Sequence, residues 1–267
     1  MDGSKIDIKE NLLNKIDKRL LPILLKDRSS GKNIIWATDN YSHKGGAYQK
    51  YTSISVRSIT GYNGQIIKPR IAKAKKEQTK RIRQKAEVFT PSWVCNKQNN
   101  LVDKAWFGTE NVFNIEQGKE WIETVDKIPF PTGDGKTWKD YVLDIRLEIT
   151  CGEAPYLVSR YDTVTGEIIE LKHRIGILDR KMRVVNENTT SEQEWNKWTK
   201  AAFQSTYGYE WQGDSVLIAR ENLLLSYIDY FTNRFHKDPL IKNLLEIAEI
   251  LSWNIWQITI NNLRTSV

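Results

Sequence analysis

Apolar positions recur at helical spacing near both ends of the chain, with strand-like runs between them. Ile8, Leu12, Leu13, Ile16, Leu20 and Leu21 mark a helix over Ile6 to Leu25 that ends near Pro22. "NIIWAT" then reads as a strand, "DNYSHKGGAYQ" as a polar loop, and "YTSISVRSITGYNGQIIKP" as a hairpin turning at Asn63-Gly64. Thr90-Pro91 predicts a helix start, with Thr90 as cap and Pro91 in the first turn. Trp106 to Trp138, with Pro129, Pro131 and several glycines, predicts a connection. "YVLDIRLEIT" reads as a buried strand with Gly152 just beyond it, and "YDTVTGEIIEL" as a hairpin around Thr165-Gly166. "KHRIGILDRKMRVVNEN" has mixed periodicity.

Further on, Ser191 and Glu194 form a capping-box pattern ahead of Trp195, Trp198, Ala202 and Phe203. "TYGYEW" is a strand ending in Glu210, and Asp214 or Ser215 caps the helix "VLIARENLLLSYIDYFTNRF". The helix "PLIKNLLEIAEILSW" and the strand "NIWQITI" follow. Strand, loop, helix, strand, helix, helix, strand is the order of a parallel, doubly wound sheet, so the expected fold class is α/β.

Composition adds a charge signature. The 267 residues carry a formal net charge of +7, with an isoelectric point near 9.2, and the excess gathers in "KPRIAKAKKEQTKRIRQK", Lys68 to Lys85. An anionic partner is expected, double-stranded DNA first, with Lys68, Arg70, Lys73, Lys75, Lys76, Lys80, Arg81 and Arg83 as candidate phosphate contacts. A solvated helix face is the plain alternative. Two cysteines and three scattered histidines give no zinc spacing and no disulfide framework, so no metal site is expected. No apolar run is long enough to cross a bilayer and charges interrupt the first 25 residues, so a cytoplasmic protein without membrane contact is expected.

Three segments, taken in order, resemble the N6-adenine DNA methyltransferases of bacterial restriction-modification systems. "LEITCGEAPYL" is similar to that family's S-adenosylmethionine loop, acidic-x-x-Cys-Gly-x-Gly-x-Phe-Leu; "AEVFTPSWV" resembles its upstream Phe-Thr-Pro segment; "YGYEWQGDSVLIARENLLLS" resembles its second strand and helix. The resemblance covers roughly Ala86 to Gln257. It implies a Rossmann-like S-adenosylmethionine-dependent methyltransferase core over residues 86–267, incomplete, preceded by a basic α+β region over residues 1–85.

The resemblance also implies roles. Phe89, Thr90 and Pro91 would line the methionine end of S-adenosylmethionine, and Glu148 would lie beneath its sulfonium and amino groups. Cys151 and Gly152 would bring the backbone close, and Glu210 would take the ribose hydroxyls. Ala154 stands where the second glycine is expected, which predicts a wider, less strained loop. The acid expected after the third strand is replaced by Ile258-Thr259, with Asn261 or Asn262 as substitutes. The family's catalytic Asn/Asp-Pro-Pro-aromatic sequence does not follow "NIWQITI".

These features imply methyltransferase function inactive without a second modification, specificity or restriction subunit. The alternative is a non-catalytic DNA- or partner-binding subunit of the same fold. Two other constellations compete: Glu153-Ala154-Pro155-Tyr156 as a misplaced catalytic motif, and Asp162 with Glu170-Leu171-Lys172 as a magnesium-dependent nuclease triplet. Trp195, Trp198, Trp211, Trp253 and Trp256 read as core residues, whereas Trp36 and Trp93 are open to base stacking.

Overall fold

The computed structural model describes residues 10–85, 89–131 and 135–258, apart from the side chains of Lys76, Lys80, Gln84 and Lys85. The first expected helix is two: α1 (Glu10–Ile16) and α2 (Leu20–Leu24). Asp17 breaks it by accepting the Arg19 amide at 2.8 Å and pairing with the Arg19 guanidinium. Pro22 falls in the first turn of α2, where its missing N–H costs nothing.

"NIIWAT" does not become a strand. Ile35 makes one bridge to Ser53, while its amide donates to Gln257 Oε1 at 2.8 Å and its carbonyl accepts from Gln257 Nε2 at 2.7 Å. The expected hairpin over residues 51–69 is likewise helical: reciprocal Ser55 and Ser58 side-chain bonds start α3 (Val56–Ile59), and Asn63-Gly64 closes a 3₁₀ turn.

The basic segment contributes α4 (Lys75–Lys85), and α5 (Ser92–Phe107) follows Pro91. Thr90 is not the cap. The Ser92 amide instead donates to Asp162 Oδ2 at 2.7 Å, a cap supplied from 70 residues away. The expected connection contains an antiparallel hairpin, β1 (Asn114–Gln117) with β2 (Glu120–Glu123), and the expected strand over residues 141–150 divides into α6 (Trp138–Leu143) and β3 (Arg146–Ile149). Thr137 and Asp140 cap α6 reciprocally. Residues 161–171 make only the bridge Tyr161 to Ile168.

The segment of mixed periodicity yields α7 (Ile177–Asn188). Then α8 (Glu192–Gln204) is capped by Ser191, as its capping box predicts, and β4 (Thr206–Glu210) ends in Glu210. Neither Asp214 nor Ser215 caps α9 (Gly213–Phe235), which begins three residues before Val216; Gln212 is at its N-cap. The chain reaches α10 (Ile241–Asn254) and β5 (Ile255–Gln257).

Strands β3, β4 and β5 form a parallel sheet in that order, joined by α7–α8 and α9–α10. The mixed α/β class is therefore as expected. One hydrophobic core includes Leu13 to Ile67 as well as Phe107 to Ile255, so the N-terminal region packs into the sheet domain. Gly213 shows how closely: a Cβ there would lie 2.0 Å from the Ile35 carbonyl oxygen. Arg220, buried, donates to the carbonyls of Leu24 and Lys26 on one side and of Ser252 and Ile255 on the other. Among the described residues no helix is long and apolar enough to cross a membrane.

Candidate cofactor cleft

At the carboxyl ends of β3 and β4 a cleft of about 470 Å³ opens, lined by Phe89, Thr90, Glu148, Cys151, Gly152 and Glu210 among others. Six of the seven expected cofactor residues thus meet in one place. Pro91, the seventh, precedes α5 beside them. Two strand ends and the start of a helix bring the three segments together, and Asp162 fixes the arrangement by holding α5 to the loop after β3.

The loop itself is unusual. Thr150, Gly152 and Ala154 all have left-handed backbone, with φ of +55°, +54° and +62°. For a β-branched threonine this is a genuine departure from preferred geometry. Ala154 therefore does not relax the loop: it is buried, keeps the conformation that a glycine would take, and its carbonyl accepts the amides of Leu157 and Val158. Holding an alanine in this conformation costs about 1–2 kcal/mol.

Glu210 organises the floor. Its Oε2 accepts the Gly152 amide at 2.9 Å, and Oε1 accepts the amides of Trp211 and Gln212 at 2.8 and 2.9 Å. Burial raises its proton affinity, the three amides oppose that, and Asp214 adds to it; the net shift is upward. Three of roughly four lone-pair sites are taken, leaving room for about one hydroxyl donor.

Glu148 is different. Its Oε2 is shielded from solvent and has no hydrogen-bond partner among the described residues. Burial pushes this carboxyl well above its ordinary range, against the Tyr156 and Leu157 amides and with help from Glu210. The Thr38 hydroxyl, on the same cleft, is also buried without a partner among the described residues. A cleft holding a carboxyl oxygen and a hydroxyl without partners among the described residues suits a ligand that brings polar groups and, toward the ionised carboxyl, a cationic centre.

Comparison of the chain with known protein families, characterised proteins and solved structures finds no match. The chemistry of the cleft therefore rests on its own residues. Sequence reasoning missed Ala37, Thr38 and Lys50, which reach the cleft from the N-terminal region; no local pattern marks them, because contacts distant in sequence, Ile35 to Gln257, Asn40 to Gln212 and Tyr41 to Asp214, carry that loop there. It also missed Gln212 on the wall, and it named Tyr156, which lies there too, only within the competing motif Glu153-Ala154-Pro155-Tyr156.

The competing constellations are occupied structurally. Glu153 is buried, accepting the Arg70 amide and the Tyr161 hydroxyl at 2.6 Å each. Asp162 accepts the amides of Ser92, Val164 and Thr165, which outweigh its burial and keep it ionised, while Glu170 and Lys172 form an exposed pair at 3.6 Å. No group of three or more metal-ligating side chains occurs among the described residues.

The basic candidates divide by burial. Lys73 and Arg81 are buried and pair with Asp214 Oδ2 at 3.5 and 3.0 Å, joined by the Tyr41 hydroxyl at 2.7 Å. Arg70 lies over the Phe89 ring. Lys75 and Arg83 are exposed, Lys68 is half-buried, and the side chains of Lys76 and Lys80 lie outside the described set. A groove of about 760 Å³ runs past His43, Lys44, Lys68, Lys73 and Arg81, with the acid Glu77 in its lining. Among the tryptophans, Trp195 is core as expected and Trp36, left undecided by the sequence, is core too, whereas Trp253 and Trp256 are exposed, against expectation.

Proposed function

We propose that this chain is the cofactor-binding part of a DNA adenine-N6 methyltransferase-like protein of a restriction-modification system, with S-adenosylmethionine in the β3–β4 cleft. The reading is supported by one observation above the others: Phe89, Glu148, Gly152 and Glu210, from three separate segments of the sequence, line a single cleft at the ends of parallel strands. Glu148 has the charge for a sulfonium or ammonium group, and Glu210 retains an acceptor site for a ribose hydroxyl. Transfer of the methyl group would need a base pocket that residues 10–258 do not supply by any recognisable Asn/Asp-Pro-Pro-aromatic sequence.

Calorimetry with S-adenosylmethionine tests the cofactor assignment. Because burial raises the Glu148 carboxyl well above its usual range, a cation binds best to the ionised form. Binding is therefore expected to release a proton and to strengthen as pH rises through that raised pKa. Titrations in two buffers of different ionisation enthalpy read the release directly, and Glu148→Gln should abolish it. Absence of heat at millimolar cofactor would remove the assignment.

DNA is the proposed macromolecular partner, on the support of the basic groove and the exposed Lys75 and Arg83. Affinity for duplex DNA should fall steeply with salt. Changing Lys75 and Arg83 to alanine should lower the slope of log K against log salt by about 2, near 0.9 for each phosphate that the protein no longer neutralises. An unchanged slope returns α4 to a solvated face.

A further inference from the structure

A second cavity, of about 580 Å³, shares no lining residue with the cleft. The β1–β2 hairpin forms one wall; the 3₁₀ turn Leu171–His173, α7 and the last turns of α9 form the others. These walls are tied to one another by the chain itself. The Trp121 indole N–H donates to the His173 carbonyl at 2.9 Å, and Arg183 on α7 donates to the carbonyls of Phe113 and Thr124, at the two ends of the hairpin, at 3.1 and 2.7 Å. A preformed space of this size is in the range of small-molecule sites.

Most charged groups around it are engaged. Arg183 pairs with Glu187 at 2.7 Å, Arg180 with Asp103 and the side-chain oxygens of Asn96 and Asn100, and His173 Nδ1 with Glu123 at 2.6 Å. Arg174 is the exception. Its side chain is only 7% exposed, and its Nη2 meets Asp229 Oδ2 at 2.7 Å, an oxygen that Arg160 also takes at 3.0 Å, so two guanidinium groups share one carboxylate oxygen. Its Nη1 is shielded from solvent and has no hydrogen-bond partner among the described residues. Asp179, the other acid on that side, accepts instead from the Ser159 and Gly176 amides and the Tyr230 hydroxyl, at 2.8, 3.1 and 3.1 Å. Burial raises the Asp179 carboxyl and the Tyr230 hydroxyl, and the Arg174 charge opposes this in both, which places that charge at their end of the cavity.

A buried guanidinium with an unmade bond and a shared counter-anion carries a cost that an added oxyanion relieves. The apolar surface beside it comes from rings: Phe113 and Tyr230 are buried and Trp121 is half-buried. An inorganic anion would leave most of the space empty. We propose that this cavity binds a small organic anion, a flat apolar body ending in a carboxylate, with Arg174 as its charge anchor and Phe113, Trp121 and Tyr230 as its apolar walls. A single free nitrogen suits one carboxylate oxygen; a phosphate group calls for several donors. The assignment rests on this cavity alone and is independent of the cofactor reading.

The test uses the full chain carrying fluorotryptophan, titrated with indoleacetate and, separately, with indoleacetamide, which has the same ring and no charge. Trp121→Phe identifies the fluorine resonance of this cavity, and Trp211→Phe that of the cleft. Indoleacetate should move the Trp121 resonance and leave that of Trp211 in place, and the amide should bind about tenfold more weakly or worse. Arg174→Gln should abolish the preference for the acid while the amide binds as before, and Arg174→Lys should keep part of it. The comparison of acid with amide needs no variant at Arg174, so a loss of folding on its replacement leaves the test intact. No shift at Trp121 with millimolar indoleacetate, a shift at Trp211 alone, or equal affinity for acid and amide would overturn the proposal.

Discussion

Replacing Asp214 by alanine should destabilise the protein by about 3–5 kcal/mol, the range for removing one partner from a buried ion pair, and lower its melting temperature by roughly 10 °C. Asp214 is the buried anion that two buried cations, Lys73 and Arg81, share at this junction, so its removal leaves both charged in a dry site. Burial alone would raise its proton affinity; the charges of Arg81 and Lys73 outweigh that and hold it well below the usual carboxylate range. A depressed folded pKa contributes stability that is complete above the unfolded value of about 3.9 and is lost progressively as pH falls from there toward the folded value. Wild-type protein should therefore lose stability as pH falls below about 4, and Asp214→Ala should lose less over the same range. Denaturant melts across the range measure this. A hydrophobic triple replacement of Asp214, Lys73 and Arg81 should recover part of the loss. A melt of Asp214→Ala within 1 °C of wild type would show that the cluster adds nothing.

Glu210→Ala should weaken S-adenosylmethionine binding at least 100-fold, if that ligand occupies the cleft, and should also disturb the cleft without ligand. Its carboxylate gathers the Gly152, Trp211 and Gln212 amides, each a charge-assisted bond of about 1.5–3 kcal/mol when broken with burial retained. Glutamine is the informative control. An amide in the same rotamer keeps an acceptor toward Trp211 and Gln212 but points an N–H at the Gly152 N–H, so it should damage the loop after β3 more than the start of α9. Hydrogen exchange resolves the two: faster exchange at Gly152 with little change at Gln212 is expected for Glu210→Gln, and at both for Glu210→Ala. Equal protection in both variants would mean that the loop is held elsewhere.

The parts of this molecule legible in its sequence are those settled by local periodicity or by residue chemistry at strand ends. The helices α5, α8, α9 and α10, the strand β4 and the meeting of Phe89, Glu148, Gly152 and Glu210 are of that kind. The N-terminal region departs from its local pattern because its apolar, β-branched runs are consistent with strands until Gln257 takes the Ile35 backbone and the Ser55–Ser58 caps turn the next run helical. The α6 cap is present in the sequence as Thr137 and Asp140, but a longer apolar run hides it. The fate of Lys73 and Arg81 is not legible at all: a basic run looks the same whether its charges face water or one aspartate 141 and 133 residues further on.

The contacts that seat the N-terminal region also set a timetable. Ile35 bonds to a residue 222 positions later, Lys26 to one 194 later and Arg28 to one 224 later. Such separations must be closed before they contribute anything, which slows folding. During synthesis at about 5–20 residues per second, these bonds stay open for roughly 10–45 s, until β5 leaves the ribosome. Over that interval Leu20, Leu21, Leu24 and Ile34, all buried in the finished protein, are open to chaperones or to aggregation. The late helix α10, against which α2 packs, is thus what shelters the first apolar segment.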